Sequence, residues 1–250
     1  DRFNSRGVWF QGAYPIRSGW NGRMEAEMVA RQHGVRRLLE AGVRIMDPSH
    51  CYVGPRVKVG EGTVLLPGTI LRGETVIGRD CEIGPNTMLT DCTVGDGAVI
   101  NSSQCNESTI ESGAHVGPFA YIRPNCHVGR DVKVGDFVEL KNSTIGDGTK
   151  IAHLTYVGDA DVGHRVNFGC GTVLVNYDGN RKYRTTIGDD CFIGCNTNLV
   201  SPVHVGDGAY TAAGSTITED VPADALAIAR ARQVEKPGWA AAHRAKKPQK

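Results

Sequence analysis

Residues 59–94 read VGEGTVLLPGTILRGETVIGRDCEIGPNTMLTDCTV, and this stretch decides the fold because it repeats every six positions. An aliphatic residue recurs at Val59, Leu65, Leu71, Ile77, Ile83 and Leu89. Four positions after the first five of these comes a small or β-branched residue, namely Thr63, Thr69, Thr75, Cys81 and Thr87. A period of six is typical of a solenoid, in which short strands alternate with corners.

The repeat extends far beyond this stretch, with one-residue slips at Val94, Ile145 and Val162 and one insertion. A single six-residue unit cannot bury its apolar face, so the units must stack, with three units to each triangular coil. Residues 47–222 then form about ten coils, which at about 4.8 Å per stacked strand make a prism roughly 45–50 Å long. The sequence therefore predicts an all-β parallel solenoid.

The other positions of the repeat suit short strands and tight corners. The β-branched residues favour strands, and we expect the glycines that follow the aliphatic residues, such as Gly60 and Gly78, to adopt positive φ at the corners. Cys81, Cys126 and Cys191 stand at the small inward position and are predicted to lie in the core.

The composition excludes several other classes of protein. Glycine accounts for 32 of 250 residues and aromatic residues for only 6%, which disfavours a helical bundle because interior glycine costs about 1 kcal/mol relative to alanine. The net charge of +1 favours neither nucleic acid nor an anionic membrane as partner. The chain has no apolar run of membrane-spanning length and no signal-peptide pattern. The eight cysteines include no CxxC pair. Because a disulfide framework is typical of a short secreted chain and this chain is neither short nor visibly secreted, we expect reduced thiols and a cytoplasmic protein.

Two segments flank the solenoid, which we assign to residues 42–222. Residues 24–41 have apolar residues at helical spacing before Gly42 and predict a short linker helix. Residues 1–23 show no period and stay unassigned, as for a remnant of truncation. Residues 223–250 predict an irregular tail with the basic end HRAKKPQK, which is either solvated or in contact with coenzyme A or a neighbouring subunit.

The largest interruption of the repeat is VNYDGNRKYRTT at 175–186. Insertions in a solenoid project as loops from one face, so this loop is predicted to contact a ligand or a partner. Upstream of it, Arg123 and Lys141 are separated by three full hexads, or one coil, so the two cations should stack on one face and suit a phosphate group. His153 stands near them where the repeat favours a small residue, and histidine is suited to accept a proton from an amine.

Two other kinds of chemistry fit the sequence less well. The histidine spacing lacks the HxxxxH pair of a β-helical metal site, so no metal is expected. Cys170 and Cys195 lie in the same region, but no second base besides His153 is available to activate a cysteine nucleophile.

Five blocks between Gly42 and Trp239 carry a family resemblance: GPFAYIRP (117–124), VGDFVELKNSTIGDGTK (134–150), AHLTYVGDADVG (152–163), VNFGCGTVLVNYDGNRKYRTTIGDD (166–190) and DALAIARARQVEKPGW (224–239). They resemble the hexapeptide-repeat acyltransferases, and most narrowly the acetyltransferase half of the bacterial bifunctional enzyme that makes UDP-N-acetylglucosamine. The resemblance implies a left-handed β-helix and a homotrimer with sites between subunits. It also implies acetyl transfer from acetyl-CoA to glucosamine 1-phosphate, for cell-wall precursor synthesis.

The resemblance also assigns roles to single residues. His153 matches the general base, Asn176 the reacting centre, and Glu139 an acidic residue that supports the histidine. The sugar-phosphate ligands correspond to Arg123, Lys141, Tyr156, Asn167, Lys182 and Tyr177. The contacts to acetyl-CoA correspond to Cys170, Cys195, Ala213 and Arg230. The position of Cys195 is usually serine in this family, and a thiol is a weaker hydrogen-bond donor.

No segment resembles the nucleotidyltransferase half of that bifunctional enzyme, so we expect this chain to represent the acetyltransferase half alone. Two alternatives stay open at this point. One is a β-helical acyltransferase that acts on another amino sugar or amine, and the other is a trimeric β-helix that serves as a scaffold without catalysis.

Overall fold

A computed structural model of the protein describes residues 19–245. Three parallel sheets of 11, 10 and 9 strands run along the described chain, and we call them faces 1, 2 and 3. Each coil contributes one short strand to each face in turn, and each strand pairs with strands of the coils before and after it. The all-β parallel solenoid of about ten coils predicted from the period of six is confirmed, as is the left-handed β-helix implied by the family resemblance.

The strand bounds follow the hexads. Face 1 contains β1 (Arg44–Ile45), β4 (Val64–Leu65), β7 (Glu82–Ile83), β10 (Val99–Ile100), β13 (His115–Val116), β16 (Lys133–Asp136), β19 (Lys150–His153), β22 (Asn167–Phe168), β25 (Phe192–Ile193), β28 (Tyr210–Thr211) and β30 (Leu226–Ala227). Face 2 contains β2 (Tyr52–Val53), β5 (Ile70–Arg72), β8 (Met88–Thr90), β11 (Gln104–Asn106), β14 (Tyr121–Ile122), β17 (Glu139–Lys141), β20 (Tyr156–Gly158), β23 (Val173–Val175), β26 (Asn198–Val200) and β29 (Thr216–Ile217). Face 3 contains β3 (Lys58–Val59), β6 (Val76–Ile77), β9 (Thr93–Val94), β12 (Thr109–Ile110), β15 (His127–Val128), β18 (Thr144–Ile145), β21 (Ala160–Val162), β24 (Thr185–Ile187) and β27 (His204–Val205).

The aliphatic position of each hexad fills the inside of the prism. Leu65, Ile83 and Leu140 are completely buried, and the intervening strand residues point outward. Burying one such side chain is worth about 1.5–3 kcal/mol, so the stacked coils supply the hydrophobic stabilisation that one coil lacks. Six of the eight cysteines are buried in the same core, as predicted for Cys81, Cys126 and Cys191.

Gly60 and Gly78 follow aliphatic residues but do not have the positive φ that we expected of them. Gly60 does not adopt positive φ; instead, a Cβ on it would lie 2.6 Å from the carbonyl carbon of Gly78 in the next coil. The glycine after the aliphatic residue is therefore needed for close stacking of coils. Positive φ occurs two residues later, at Gly62 (77°) and equally at Asp80 (53°). Aspartate tolerates this conformation better than most residues, which explains why the corner is not always glycine.

The helix before the solenoid is longer than the predicted 24–41. It spans α1 (Trp20–Glu40), begins within the segment where the sequence shows no period, and packs Leu38 into the core of the solenoid. Arg37 fastens it there by donating hydrogen bonds to the backbone carbonyls of Pro55 and Val57, both at 2.9 Å. Pro48–His50 forms a short 3-10 turn between β1 and β2.

The C-terminal tail is also more ordered than predicted. It adds β30 to face 1 and ends in α2 (Trp239–Ala245), where three alanines have high helical propensity and Trp239 stacks on His243 one turn later. None of the described helices is long and apolar enough to cross a lipid bilayer. Residues 1–18 and 246–250, which include most of the basic end, lie outside the described residues.

Candidate active site

Two stacked cations mark face 2 beside the interrupted coil. Ile122 pairs with Leu140 in adjacent coils, so Arg123 and Lys141, the next residues along, stack as their spacing predicts. The Arg123 guanidinium donates a hydrogen bond of 2.9 Å from Nη1 to Oε1 of Glu139. Glu139 therefore forms an ion pair with Arg123 on face 2.

The carboxylate of Asp159 organises the side chains around Lys141. It accepts hydrogen bonds from Nζ of Lys141 at 3.1 and 3.3 Å, from Nδ2 of Asn142 at 2.7 Å and from Nδ2 of Asn176 at 2.5 Å. Burial acts to raise the pKa of Asp159, but hydrogen bonds from Asn142, Lys141 and Asn176 outweigh it, and the net pKa is lowered. The buried carboxylate is thus ionised and fixes both the cation and the amide of Asn176.

The loop between β23 and β24 brings a third cation to the same place. The loop folds back on itself because the backbone N–H of Tyr183 donates to the carbonyl of buried Asn176 at 2.8 Å, and Asp178 accepts from the Tyr183 hydroxyl at 2.9 Å. Lys182 then lies beside Lys141, whose amine lowers the pKa of Lys182. Two amines held this close suit an anion that neutralises both of them.

A second arginine fastens the end of this loop to the prism. Arg184 donates to both carboxylate oxygens of Asp161, to the carbonyl of Asn142 at 3.1 Å and to the carbonyl of Ala160 at 3.0 Å. The loop is therefore tied at both ends, by Arg184 and by Asn176, and it presents Lys182 from a fixed base.

His153 occupies the corner between faces 1 and 2. It ends β19, and β16 pairs with this strand so that Asp136 stands opposite His153 in the preceding coil. Oδ1 of Asp136 and Nδ1 of His153 are 2.7 Å apart. The carboxylate beside His153 in this chain is Asp136, whereas Glu139, the residue expected to support the histidine, is paired with Arg123.

The residues matched to acetyl-CoA contacts stack on His153 in one column, in the coils that follow it toward the C-terminus. The strand register carries the line from His153 to Cys170, then to Cys195, whose successor donates its N–H to the Cys170 carbonyl at 2.8 Å. The same pattern leads on to Ala213, and Arg230 packs beside Gly214. Cys170 is half-buried and Cys195 is exposed, whereas burial raises the pKa of core thiols such as Cys105. We call His153, Cys170, Cys195 and Ala213 the corner column.

The remaining candidates are divided between faces. Tyr156 lies on face 2, where its hydroxyl accepts a hydrogen bond of 3.4 Å from Nδ2 of Asn176. Tyr177 is exposed on the loop. Asn167 points outward from face 1, so within one chain it does not face the cations of face 2. Across residues 19–245 no group of three or more His, Cys, Asp or Glu side chains is arranged to hold a metal ion.

Sequence comparison agrees with the repeat. Two segments, 107–142 and 184–219, match the family described as bacterial transferase hexapeptide (six repeats). These two segments of the chain are similar to that family.

Individual relatives in this family are similar over most of the chain. The bifunctional protein GlmU of Geobacillus sp. (strain WCH70) is 52% identical over 215 residues, which are 86% of this chain and 47% of that protein. The GlmU of Brevibacillus brevis is 53% identical over 216 residues, 86% of this chain and 47% of the relative. The chain thus spans about half the length of these curated relatives. Among solved structures, a UDP-N-acetylglucosamine acyltransferase of Francisella novicida is 15% identical with a TM-score of 0.47, covering 74% of this chain and 66% of that one.

Asp136 and Asp159 were not predicted from the sequence, although each left a signal in it. Asp136 precedes His153 by one coil, which a slip has shortened by one position. Asp159 lies in the block AHLTYVGDADVG, one residue after the position that pairs with Lys141. Counting the coil before His153 at its own length of 17 residues would have found Asp136, whereas three full hexads from Lys141 lead directly to Asp159.

Proposed function

We propose that this chain transfers the acetyl group of acetyl-CoA to the amine of glucosamine 1-phosphate, giving N-acetylglucosamine 1-phosphate for UDP-N-acetylglucosamine synthesis. The observation that carries the proposal is the convergence of Arg123, Lys141 and Lys182 on face 2, next to the corner that bears His153. Three cations on one small surface suit a phosphate monoester. The proposal includes the cytoplasmic location expected from the sequence.

The chemistry would be a direct transfer without an acyl-enzyme. Nε2 of His153 takes a proton from the substrate ammonium or from the attacking amine, whose nitrogen forms a bond to the thioester carbonyl carbon. The tetrahedral oxyanion accepts hydrogen bonds from backbone N–H groups near Cys170. Collapse of this intermediate breaks the C–S bond and releases coenzyme A, which leaves as a thiolate and is then protonated.

The corner column supplies a track for the coenzyme. His153 and Ala213 are three coils apart, or about 14 Å at the spacing of stacked strands. An extended pantetheine arm can follow such a line from the thioester at His153 toward Arg230, whose guanidinium suits the phosphates of the coenzyme.

The proposed assembly is a homotrimer with active sites between copies. Asn167 faces outward from face 1 and Arg123 from face 2, so one small substrate can touch both only if two copies meet. Below His153 the same corner exposes Phe119, Phe137 and Leu154, and the two phenyl rings stack at 5.5 Å. A bulky residue at positive φ is costly, and these three adopt it while exposed, which favours cover by a neighbouring copy.

The test is incubation of the purified protein with acetyl-CoA and a panel of amines, with products identified by mass spectrometry. We expect N-acetylglucosamine 1-phosphate and an equal amount of free coenzyme A. A preference for glucosamine or another amine without phosphate would contradict the role of the cations. Absence of coenzyme A release with every acceptor would favour the trimeric scaffold instead.

Replacing Lys182 by glutamine should raise the KM for glucosamine 1-phosphate by about 10- to 100-fold, because a charge-assisted hydrogen bond to phosphate is worth about 1.5–3 kcal/mol. We expect kcat to change less, since the loop backbone is held by Asn176 and Arg184. Steady-state kinetics at varied acceptor concentration measures both constants. Lys58→Gln, at an exposed lysine of face 3, is the control and should leave the KM unchanged.

A further inference from the structure

The contact between His153 and Asp136 is the feature of the site that the family pattern does not supply. Asp136 ends β16 and His153 ends β19, and these strands pair residue by residue as far as these two positions. The Nδ1–Oδ1 distance of 2.7 Å is that of a strong hydrogen bond. Both side chains are partly exposed, so the imidazole is accessible to solvent.

The direction of this hydrogen bond follows from the charge of Asp136. The hydrogen bond from His153 lowers the pKa of Asp136, so the carboxylate is ionised near neutral pH and can only accept. In the neutral imidazole, Nδ1 of His153 therefore carries the proton and the lone pair is on Nε2. Lys133 on β16 is the other charged side chain that acts on the Asp136 carboxylate, and Cys170 is the next residue above His153 in the column.

Glu139, the other carboxylate considered as the support of His153, has another partner. Oε1 of Glu139 accepts from Arg123 at 2.9 Å, and Glu139 stands on β17 of face 2, beyond the corner that carries His153. Within the described residues 19–245, Asp136 is the carboxylate that bonds to the His153 ring.

We propose that Asp136 is the positioning residue of His153, which holds the imidazole in the tautomer with Nε2 free and stabilises the imidazolium that forms when the amine gives up its proton. This inference rests on the proposed acetyl transfer. Asp136 does not touch the reacting atoms, and it acts through the orientation and the charge state of the histidine.

The chain contains a matched pair that serves as control. Asp47 and His50 form the same contact, with 2.6 Å between Oδ2 and Nδ1, at the first coil beside α1. Asp47→Asn thus removes the same kind of carboxylate from a histidine that has no part in the proposed reaction.

The experiment compares Asp136→Asn with Asp136→Glu, Asp47→Asn and Glu139→Gln. For Asp136→Asn we expect kcat to fall at least about tenfold with little change in KM. The acidic limb of the pH profile of kcat/KM should move to lower pH, because the anion that favours the imidazolium is gone. Asp136→Glu should restore the position of the limb in part, and Asp47→Asn should match the unsubstituted protein.

A wild-type kcat and an unmoved acidic limb in Asp136→Asn would overturn the inference. So would a shift of that limb in Glu139→Gln alone, which would return the role to Glu139. The titration of His153, followed by NMR of the ¹⁵N-labelled histidine rings and assigned with His153→Ala, needs no activity. If the acetyl-transfer assay fails but the midpoint of His153 still moves to lower pH in Asp136→Asn, the proposed function is wrong and the contact stands.

Discussion

Replacing His153 by alanine is expected to lower kcat for acetyl transfer by about 10²- to 10⁴-fold, the usual contribution of a general base. The loss should fall on kcat rather than on the KM for glucosamine 1-phosphate, because in the proposed function Arg123, Lys141 and Lys182 hold the phosphate without the histidine. The His153 side chain is 57% exposed, so its removal leaves no cavity in the prism. Assays of coenzyme A release measure the loss of kcat, and the thermal unfolding midpoint shows whether stability is unchanged.

The matched control for this variant is His204→Ala. His204 is also exposed and also on a strand, but on face 3, away from the corner column. It should keep full activity. Turnover of His153→Ala within a few-fold of the unsubstituted protein, with an unchanged oligomeric state, would refute the assignment of the base.

Replacing Asp159 by alanine is expected to damage both stability and substrate binding. The ammonium of Lys141, which is only 17% exposed, would lose its counter-charge, and the amides of Asn142 and Asn176 would lose their acceptor. Breaking a buried pair from one side costs about 3 kcal/mol, or roughly 6–12 °C in the unfolding midpoint of a chain of this size. The KM for glucosamine 1-phosphate should rise in parallel, because Lys141 and Asn176 lose their fixed positions.

The decrease in stability at acidic pH provides an independent test of the role of Asp159. Because the folded-state pKa of Asp159 is lowered, its contribution to stability is present above its unfolded value of about 3.9 and is lost as the pH falls through the folded value. The loss of stability between about pH 5 and pH 3 should therefore be shallower in Asp159→Ala. Asp190→Ala, which removes one side of the exposed pair with Arg165 at a similar positive φ, should destabilise the protein less than Asp159→Ala and serves as control. Equal effects of the two substitutions would contradict the role of Asp159.

Most of the fold could be predicted because the repeat itself encodes it. Each aliphatic hexad position is a core position, and the number of hexads gives the number of coils without knowledge of any long-range contact. The role of Gly60 could not be predicted in this way. Its need for glycine arises from the backbone of Gly78 in the next coil, and a close approach between coils leaves no local signal in the sequence.

The candidate site was predictable in part for a related reason. Arg123 and Lys141 are separated by a coil of three full hexads, so counting in hexads brings them together correctly. The same count back from His153 leads to Gly135, one residue short of Asp136, because the slip before Ile145 shortens that coil by one position. A single-residue slip thus changes which side chain faces His153. The family resemblance assigned the supporting acid to Glu139 instead.

The way in which the coils pair bears on how the chain folds. Every strand pairs only with strands of the adjacent coils, so the relative contact order is about 0.07, a value typical of helical proteins that fold fast, in spite of the all-β architecture. The longest of these steps, from Phe168 to Ile193, spans the loop that carries Lys182. The loop lengthens the chain segment between these paired strands by about half, which costs only about 0.3 kcal/mol of chain entropy. A solenoid of this kind can therefore acquire a functional loop in one coil at almost no cost to its assembly, since the neighbouring coils still close independently.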